Sequence, residues 1–229
     1  MKIFLDTANI AEIRRLNELG IVDGVTTNPS WVSKENRASR EGKEGREGKG
    51  KTFKEIVQEI CREVKGPVSA EATATDSAGM IKEAREISGW AKNVVVKLPT
   101  TAEGLKALKA VSAEGIKTNM TLVFSANQAL LVGKMGATYV SPFIGRLYDA
   151  GYDGMQLIKD VVAIYRNYKF RTQILAASFR EPREITEVAI AGADVATIKP
   201  EFVDQMLKNP FTDAGLKAFL DSWATMTKK

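Results

Sequence analysis

The chain has 229 residues, 44% of them hydrophobic and 27% charged, with a formal net charge of +5. That is enough apolar material for one large domain and too much for a disordered chain. There is no histidine and a single cysteine, which excludes Ser-His-Asp and Cys-His nucleophile pairs, the HExxH metal motif, a disulfide framework and a cysteine-rich zinc site.

Short apolar runs alternate with helical patterns. In chain order the predicted strands are "KIFLD" (2–6), "GVTTN" (24–28), "PVSAEAT" (67–73), "NVVVKL" (93–98), "KTNMTLVF" (117–124), "TYVSPF" (138–143), "TQILAAS" (172–178) and "DVATI" (194–198). Helices are predicted near 10–18, 53–65, 76–88, 103–112, 126–135, 154–168, 181–191 and 200–207, with a further C-terminal helix over 212–226. Asn9, Thr52, Asp76 and Asp153 precede helices as N-caps. Gly66, Gly115, Gly136 and Gly192 stand just past helix ends, where a left-handed backbone favours glycine. Eight such βα units predict a parallel sheet, and a single (β/α)8 TIM barrel over 1–229 closes it without exposed edges. No GxGxxG follows the first strand, as a dinucleotide-binding open sheet would require.

The segment 35–51, "ENRASREGKEGREGKGK", breaks this rhythm. It is rich in glycine and charge, lacks an apolar period and reads as a flexible surface insertion. Its six basic and four acidic residues account for +2 of the net charge. The rest is spread along the chain, so no nucleic-acid partner is expected. No apolar run approaches the roughly 20 residues of a membrane span, and "MKIFLDTAN" meets an acid too early for a signal peptide. The expectation is a cytoplasmic protein. Cys61 falls on the apolar side of Phe53, Ile56, Val57, Ile60 and Val64 and reads as a packed thiol.

In such a barrel the chemistry sits at the C-terminal strand ends. Those ends carry Asp6, Asn28, Glu71, Lys97, Asn119 with Thr121, Ser141, Ser178 and Lys199. Each alone has a bland reading: a lysine that snorkels to solvent, a turn aspartate, hydroxyls that satisfy backbone groups. Their convergence on one mouth favours chemistry. By strand alternation Lys97 shares a face with Val95, and Asp6 with Phe4, as inward positions would. Burial disfavours an ammonium, so a lysine there offers an amine to a ketone. The resulting imine is an electron sink for C–C cleavage. Glu71 and Thr121 could arrange the proton transfers at a water, and Asp6 is a candidate base for the departing hydroxyl. Asn28, Asn119 and Ser141 suit sugar hydroxyls. Arg146, Ser178 and Arg180 suit a phosphate.

At "FLDTAN", "GIVDGVTTNPS", "VVVKLPTTAEGLKA", "EGIKTNMTLVFSANQALL", "GATYVSPFIGRL", "LAASFR" and "TDAGLKAFLDSW" the chain resembles the transaldolase and fructose-6-phosphate aldolase family, in its short-chain branch. The resemblance covers nearly everything outside 35–51. It implies that Lys97 forms a Schiff base, that Asp6 is the acid/base at C–C cleavage, and that Glu71 and Thr121 handle a catalytic water. Asn28, Asn119 and Ser141 would contact the dihydroxyacetone part, and Arg146, Ser178 and Arg180 the phosphate. Glu71 and Phe143 are similar to the transaldolase side of the family, where the aldolases carry Gln and Tyr. The implied reaction moves a dihydroxyacetone unit from fructose 6-phosphate to erythrose 4-phosphate, in the pentose phosphate pathway. No metal or organic cofactor is implied. Sugar phosphates are the implied partners, and the implied assembly is a homo-oligomeric ring, often a decamer, whose C-terminal helix reaches a neighbour. Trp31, Ala72, Tyr148 and Lys199 depart from the family pattern, and Trp31, Tyr148 and Lys199 are expected around the mouth. An aldolase using the same lysine, or a sugar-phosphate binder without turnover, are the alternatives.

Overall fold

A computed structural model describes residues 1–33 and 50–226. Strands β1 (Lys2–Asp6), β2 (Gly24–Thr26), β3 (Val68–Glu71), β4 (Val94–Pro99), β5 (Thr118–Val123), β6 (Tyr139–Pro142), β7 (Gln173–Ala176) and β8 (Val195–Ile198) pair in sequence order. All pairings are parallel, and β8 returns to β1 to close the barrel. Around it run α1 (Ile10–Asn17), α2 (29–33), α3 (Phe53–Glu63), α4 (Ser77–Ser88), α5 (Ala102–Ala113), α6 (Ala126–Met135), α7 (Ile144–Asp149), α8 (Gly154–Tyr168), α9 (Pro182–Ala191), α10 (Pro200–Leu207) and α11 (Pro210–Met226). The fold is the expected (β/α)8 barrel with an added C-terminal helix.

Local chemistry explains the helix starts. Asn9, Thr52, Asp76 and Asp153 each accept a bond from a first-turn amide. Thr52 and Glu55 complete a reciprocal capping box, and such caps contribute about 1 kcal/mol each. Gly136 and Gly192 end α6 and α9 in the left-handed conformation, and Gly115 is left-handed one residue beyond the cap of α5. Gly66 departs from that expectation. It has no positive φ, and a Cβ there would lie 1.8 Å from the Asp23 carbonyl oxygen. Close chain packing, not a helix ending, requires glycine at that position.

Two helices lie outside the predicted elements. α2 begins at Pro29, immediately after Asn28, so β2 stops at Thr26 rather than running to 28. α7 follows β6 directly and carries Arg146. Most of the charged segment 35–51 lies outside the described residues, apart from Gly50 and Lys51. Cys61 is only partly buried against the core, and that burial pushes its thiol up to about 11. Among the described residues, no helix is long and apolar enough to cross a membrane.

The strands place side chains in two stacked layers inside the barrel. Phe4, Val95, Tyr139, Leu175 and Val195 form a separate buried cluster, with the Phe4 and Tyr139 rings edge to face at 5.9 Å. Truncating Phe4 to Ala would cost about 3–5 kcal/mol. Two residues further along the same strands stand Asp6, Lys97, Ser141, Ala177 and Thr197, as the two-residue period requires. The apolar layer is the floor on which the polar one sits.

Candidate active site

A cavity of about 310 Å³ opens above this floor, lined among others by Asp6, Asn28, Lys97, Ser141 and Arg146. Lys97 does not snorkel: its residue exposure is 6%. Its Nζ lies 3.1 Å from Glu71 Oε2. The pairing register explains the contact, because Glu71 sits opposite Lys97 on β3 and Lys97 opposite Asn119 on β5. The amine is therefore charge-compensated rather than stranded among valines.

Asp6 also faces the cavity. Its Oδ1 accepts from Thr26 Oγ1 at 3.2 Å and from Trp31 Nε1 at 3.0 Å. Burial pushes its carboxyl above the usual range, with Lys97, these two donors and Lys199 pulling the other way. Thr26 Oγ1 lies 2.6 Å from Thr197 Oγ1. Since the single Thr26 hydrogen goes to Asp6, Thr197 is the donor of that pair.

The neutral residues form a relay across the barrel. Ser141 donates to Asn119 Oδ1 at 2.7 Å, and Asn119 Nδ2 donates to Ser69 Oγ at 3.2 Å. Asn119 is fully buried and lies behind Ser141 rather than on the cavity lining. Thr121 is also fully buried, and its hydroxyl has no hydrogen-bond partner among the described residues. It lies next to a register shift in β5, where Leu122 takes a φ of 58°. Asn28 accepts from the Trp31 backbone N–H at 3.0 Å, leaving its amide hydrogens as donors.

The cavity lining is also cationic. Arg146 lies 5.4 Å from the Phe143 ring centroid, and among the described residues it makes no ion pair. Arg180 donates through Nε to Asp149 Oδ1 at 3.0 Å and through Nη2 to Asp149 Oδ2. Its backbone N–H donates to buried Glu184 at 2.7 Å. Ser178 has a φ of 67°, a strained conformation for a non-glycine residue. This turn brings its carbonyl against Gly145, where a Cβ would lie 1.9 Å away. Lys199 also lines the cavity, with Nζ 3.5 Å from Glu201 and 5.5 Å from the Phe202 ring.

The cavity thus brings together Asp6, Asn28, Lys97, Ser141 and Phe143 with Arg146, Ser178 and Arg180. Glu71 joins them through Lys97, and Asn119 through Ser141. Trp31 and Lys199 lie at the mouth as expected, whereas Tyr148 lines a separate cleft with Met155 and Glu187. Sequence reasoning missed Ser69, Thr197, Asp149 and Glu184. Glu184, at the third position of a helix opened by Pro182, had a readable signal as a residue that reaches back to a preceding amide. Ser69 and Thr197 are legible only by alternation, as positions two residues before Glu71 and Lys199.

The chain is similar to known proteins over its whole length. The model of the family described as transaldolase/fructose-6-phosphate aldolase matches residues 3–229. A protein named probable transaldolase from Methanococcus vannielii is 51% identical over 229 residues, covering all of both chains. Another of that name from Thermoanaerobacter sp. is 51% identical over 223 residues, covering 97% of each. A solved structure of thiamine phosphate pyrophosphorylase from Pyrococcus furiosus superposes with a TM-score of 0.53 at 16% identity, covering 86% of this chain and 85% of the other. That likeness concerns the fold alone. The chain belongs to the transaldolase/fructose-6-phosphate aldolase family.

Proposed function

We propose that this protein is a transaldolase. It takes a dihydroxyacetone unit from fructose 6-phosphate and passes it to erythrose 4-phosphate, giving glyceraldehyde 3-phosphate and sedoheptulose 7-phosphate. The observation that carries this reading is a buried lysine amine 3.1 Å from a carboxylate, in a cavity that Asp6 also lines and whose other wall holds Arg146 and Arg180. Relatives named probable transaldolase support the choice of reaction.

The Lys97 amine attacks the C2 carbonyl of the donor, and loss of water from the carbinolamine leaves an iminium. Glu71 moves the protons of that dehydration, with the Thr121 hydroxyl holding the water concerned. The Asp6 carboxylate takes the C4 hydroxyl proton. The C3–C4 bond then breaks, its electrons flow to the iminium nitrogen as an enamine, and the aldehyde leaves. The second aldehyde enters and the steps reverse, with Asp6 returning the proton. Asn28 and Ser141 orient the donor's hydroxyls, and Phe143 walls the cavity beneath Arg146. Arg146, Ser178 and Arg180 bind the phosphate by charge-assisted bonds. Arg146, with no carboxylate partner among the described residues, is the freer of the two guanidinium groups.

The expectation of one barrel domain in a homo-oligomeric ring has support of its own. α11 is 17 residues long with no buried residue, although it carries Phe211, Phe219 and Leu220. Such a face requires cover, and a neighbouring copy supplies it on this reading.

Borohydride trapping with fructose 6-phosphate, followed by peptide mass mapping, tests the chemistry. An adduct on Lys97 is expected, and its absence from folded protein would overturn the reading. Omitting erythrose 4-phosphate then separates the two reactions of the family. Steady release of dihydroxyacetone without any acceptor would make the protein an aldolase instead.

A further inference from the structure

We propose that Trp31 is a positioning residue for Asp6, its indole N–H holding one carboxylate oxygen so that the other is the atom that exchanges the substrate's hydroxyl proton. The proposal rests on the Schiff-base reading above. Its basis is the distribution of bonds on the carboxylate. Both donors, Trp31 Nε1 at 3.0 Å and Thr26 Oγ1 at 3.2 Å, go to Oδ1. Among the described residues Oδ2 accepts no hydrogen bond. Two donors on one oxygen fix the plane of the carboxylate and leave the other oxygen to the substrate.

The indole is itself anchored where it leaves the backbone. Pro29 opens α2, the Asn28 side chain accepts the Trp31 backbone N–H at 3.0 Å, and the Val32 N–H reaches the Asn28 carbonyl at 3.3 Å. Trp31 also packs against the core and forms part of the cavity wall. It therefore ties the helix that follows β2 to the end of β1, 25 residues back. A leucine or phenylalanine at 31 would fill part of this wall and offer Asp6 nothing.

The same bond has an electrostatic consequence. An N–H aimed at a carboxylate favours its charged form. At Asp6 it works alongside Thr26, Lys97 on β4 and Lys199 beyond β8, all against burial. Glu71 lies behind Lys97 and partly neutralises it. Removing the indole N–H leaves Asp6 harder to ionise, so the base is available only at higher pH.

The test compares Trp31→Phe and Trp31→Leu with the wild type in fructose 6-phosphate and erythrose 4-phosphate turnover, read as a pH profile of kcat/KM. Both variants should move the acidic limb upward by about one pH unit, the size expected for losing a bond to a charged group. The KM for fructose 6-phosphate should shift less than about threefold, a bound set by leaving the donor's own bonding groups intact. An acidic limb that stays in place in both variants would overturn the proposal, whatever happens to KM or Tm. A limb that moves in Leu but not in Phe would do so too, because bulk rather than the N–H would then be acting. Borohydride trapping on the same samples separates the two levels. No Lys97 adduct in the wild type sinks the Schiff-base reading itself, whereas adducts throughout with an unmoved limb sink only the role of Trp31.

Discussion

Arg180 and Asp149 meet as a two-bond ion pair, Nε to Oδ1 at 3.0 Å and Nη2 to Oδ2. The cation proposed to bind phosphate is thus shared with a carboxylate. Both side chains are about half exposed, so the pair adds little to stability. Arg180 holds the Asp149 carboxyl below its usual range. The pair therefore persists as pH falls until Asp149 is protonated, below its ordinary value of 3.8. Between pH 5 and 8 the charge on Asp149 is constant, so on the proposed reading it competes with a phosphate throughout that range. Asp149→Asn removes the competitor while Glu184 still fixes the Arg180 backbone. Inorganic phosphate should then inhibit about three- to tenfold more strongly, since that range corresponds to roughly 1 kcal/mol. An unchanged inhibition constant would move phosphate binding away from Arg180.

Lys97→Met removes the amine at similar volume. Turnover should fall by more than about 10³-fold, as expected when a covalent step is lost. The substitution also leaves Glu71 without its cation in a largely buried place. A loss of about 1–3 kcal/mol follows, at the lower side of what breaking a fully buried pair costs. Adding Glu71→Gln should recover most of that stability and none of the activity. Thermal unfolding of the single and double variants measures the coupling. Equal Tm values for both would mean that the pair is energetically idle.

How much of this was legible before any coordinates varied with distance along the chain. The two-residue period placed Phe4 with Asp6 and Val95 with Lys97, and these are the floor and the polar layer above it. Caps at Asn9, Thr52, Asp76 and Asp153 were local chemistry and readable as such. What escaped depends on separation in sequence. Trp31 bonds a residue 25 positions earlier, and Asp149 one 31 positions later. No periodicity encodes either contact. α7, at six residues, is too short to show a helical period. The rule that puts glycine at helix endings ignores what lies across the gap, which at Gly66 is the Asp23 carbonyl. Tyr148 follows Arg146 by two residues but faces another cleft, since residues two apart on a helix point in different directions.

Asp6 should make the fold less stable at neutral pH. Its carboxyl is raised by burial above 3.8, so the native state binds the proton more tightly than the unfolded chain. Stability then falls as pH rises from about 3.8 through the raised native value, and levels off above it. Asp6→Asn keeps a carbonyl for Trp31 and Thr26 to donate to and removes the charge. Its Tm should exceed that of the wild type at pH 7–8 by about 2–4 °C for each kcal/mol relieved, with the gain disappearing toward pH 4. Turnover should drop about 10²- to 10⁴-fold, the usual contribution of a general acid/base. A Tm gain that persists at pH 4 would show that the charge is not its origin.

Gly145 lies where no side chain fits. A Cβ would approach the Ser178 carbonyl to 1.9 Å and Arg180 Nη1 to 2.9 Å. Only the arginine end can move cheaply. Gly145→Ala must therefore displace the strained turn at Ser178, and with it Ser178 and Arg180, two of the three residues proposed to bind phosphate. The KM for fructose 6-phosphate should rise at least about tenfold, consistent with losing one good charge-assisted bond. The Lys97 adduct with dihydroxyacetone, which has no phosphate, should form as in the wild type. Equal impairment with both compounds would place the damage in the barrel instead of at its rim.

The exposed stripe on α11 tests the assembly. Leu216, Phe219, Leu220 and Trp223 recur at helical spacing, and each is at least 58% exposed. Burying Phe219 and Leu220 against another copy would contribute about 1.5–3 kcal/mol each, repeated at every interface of a ring. Phe219→Asp with Leu220→Asp puts two charges where apolar cover is needed and disturbs no buried residue, since α11 buries none among the described residues. Light scattering should report a ring for the wild type and a protomer for the variant, with Lys97 trapping retained in both. A wild type that is already monomeric at micromolar concentration would leave α11 to some other cover, and the ring would have to be abandoned.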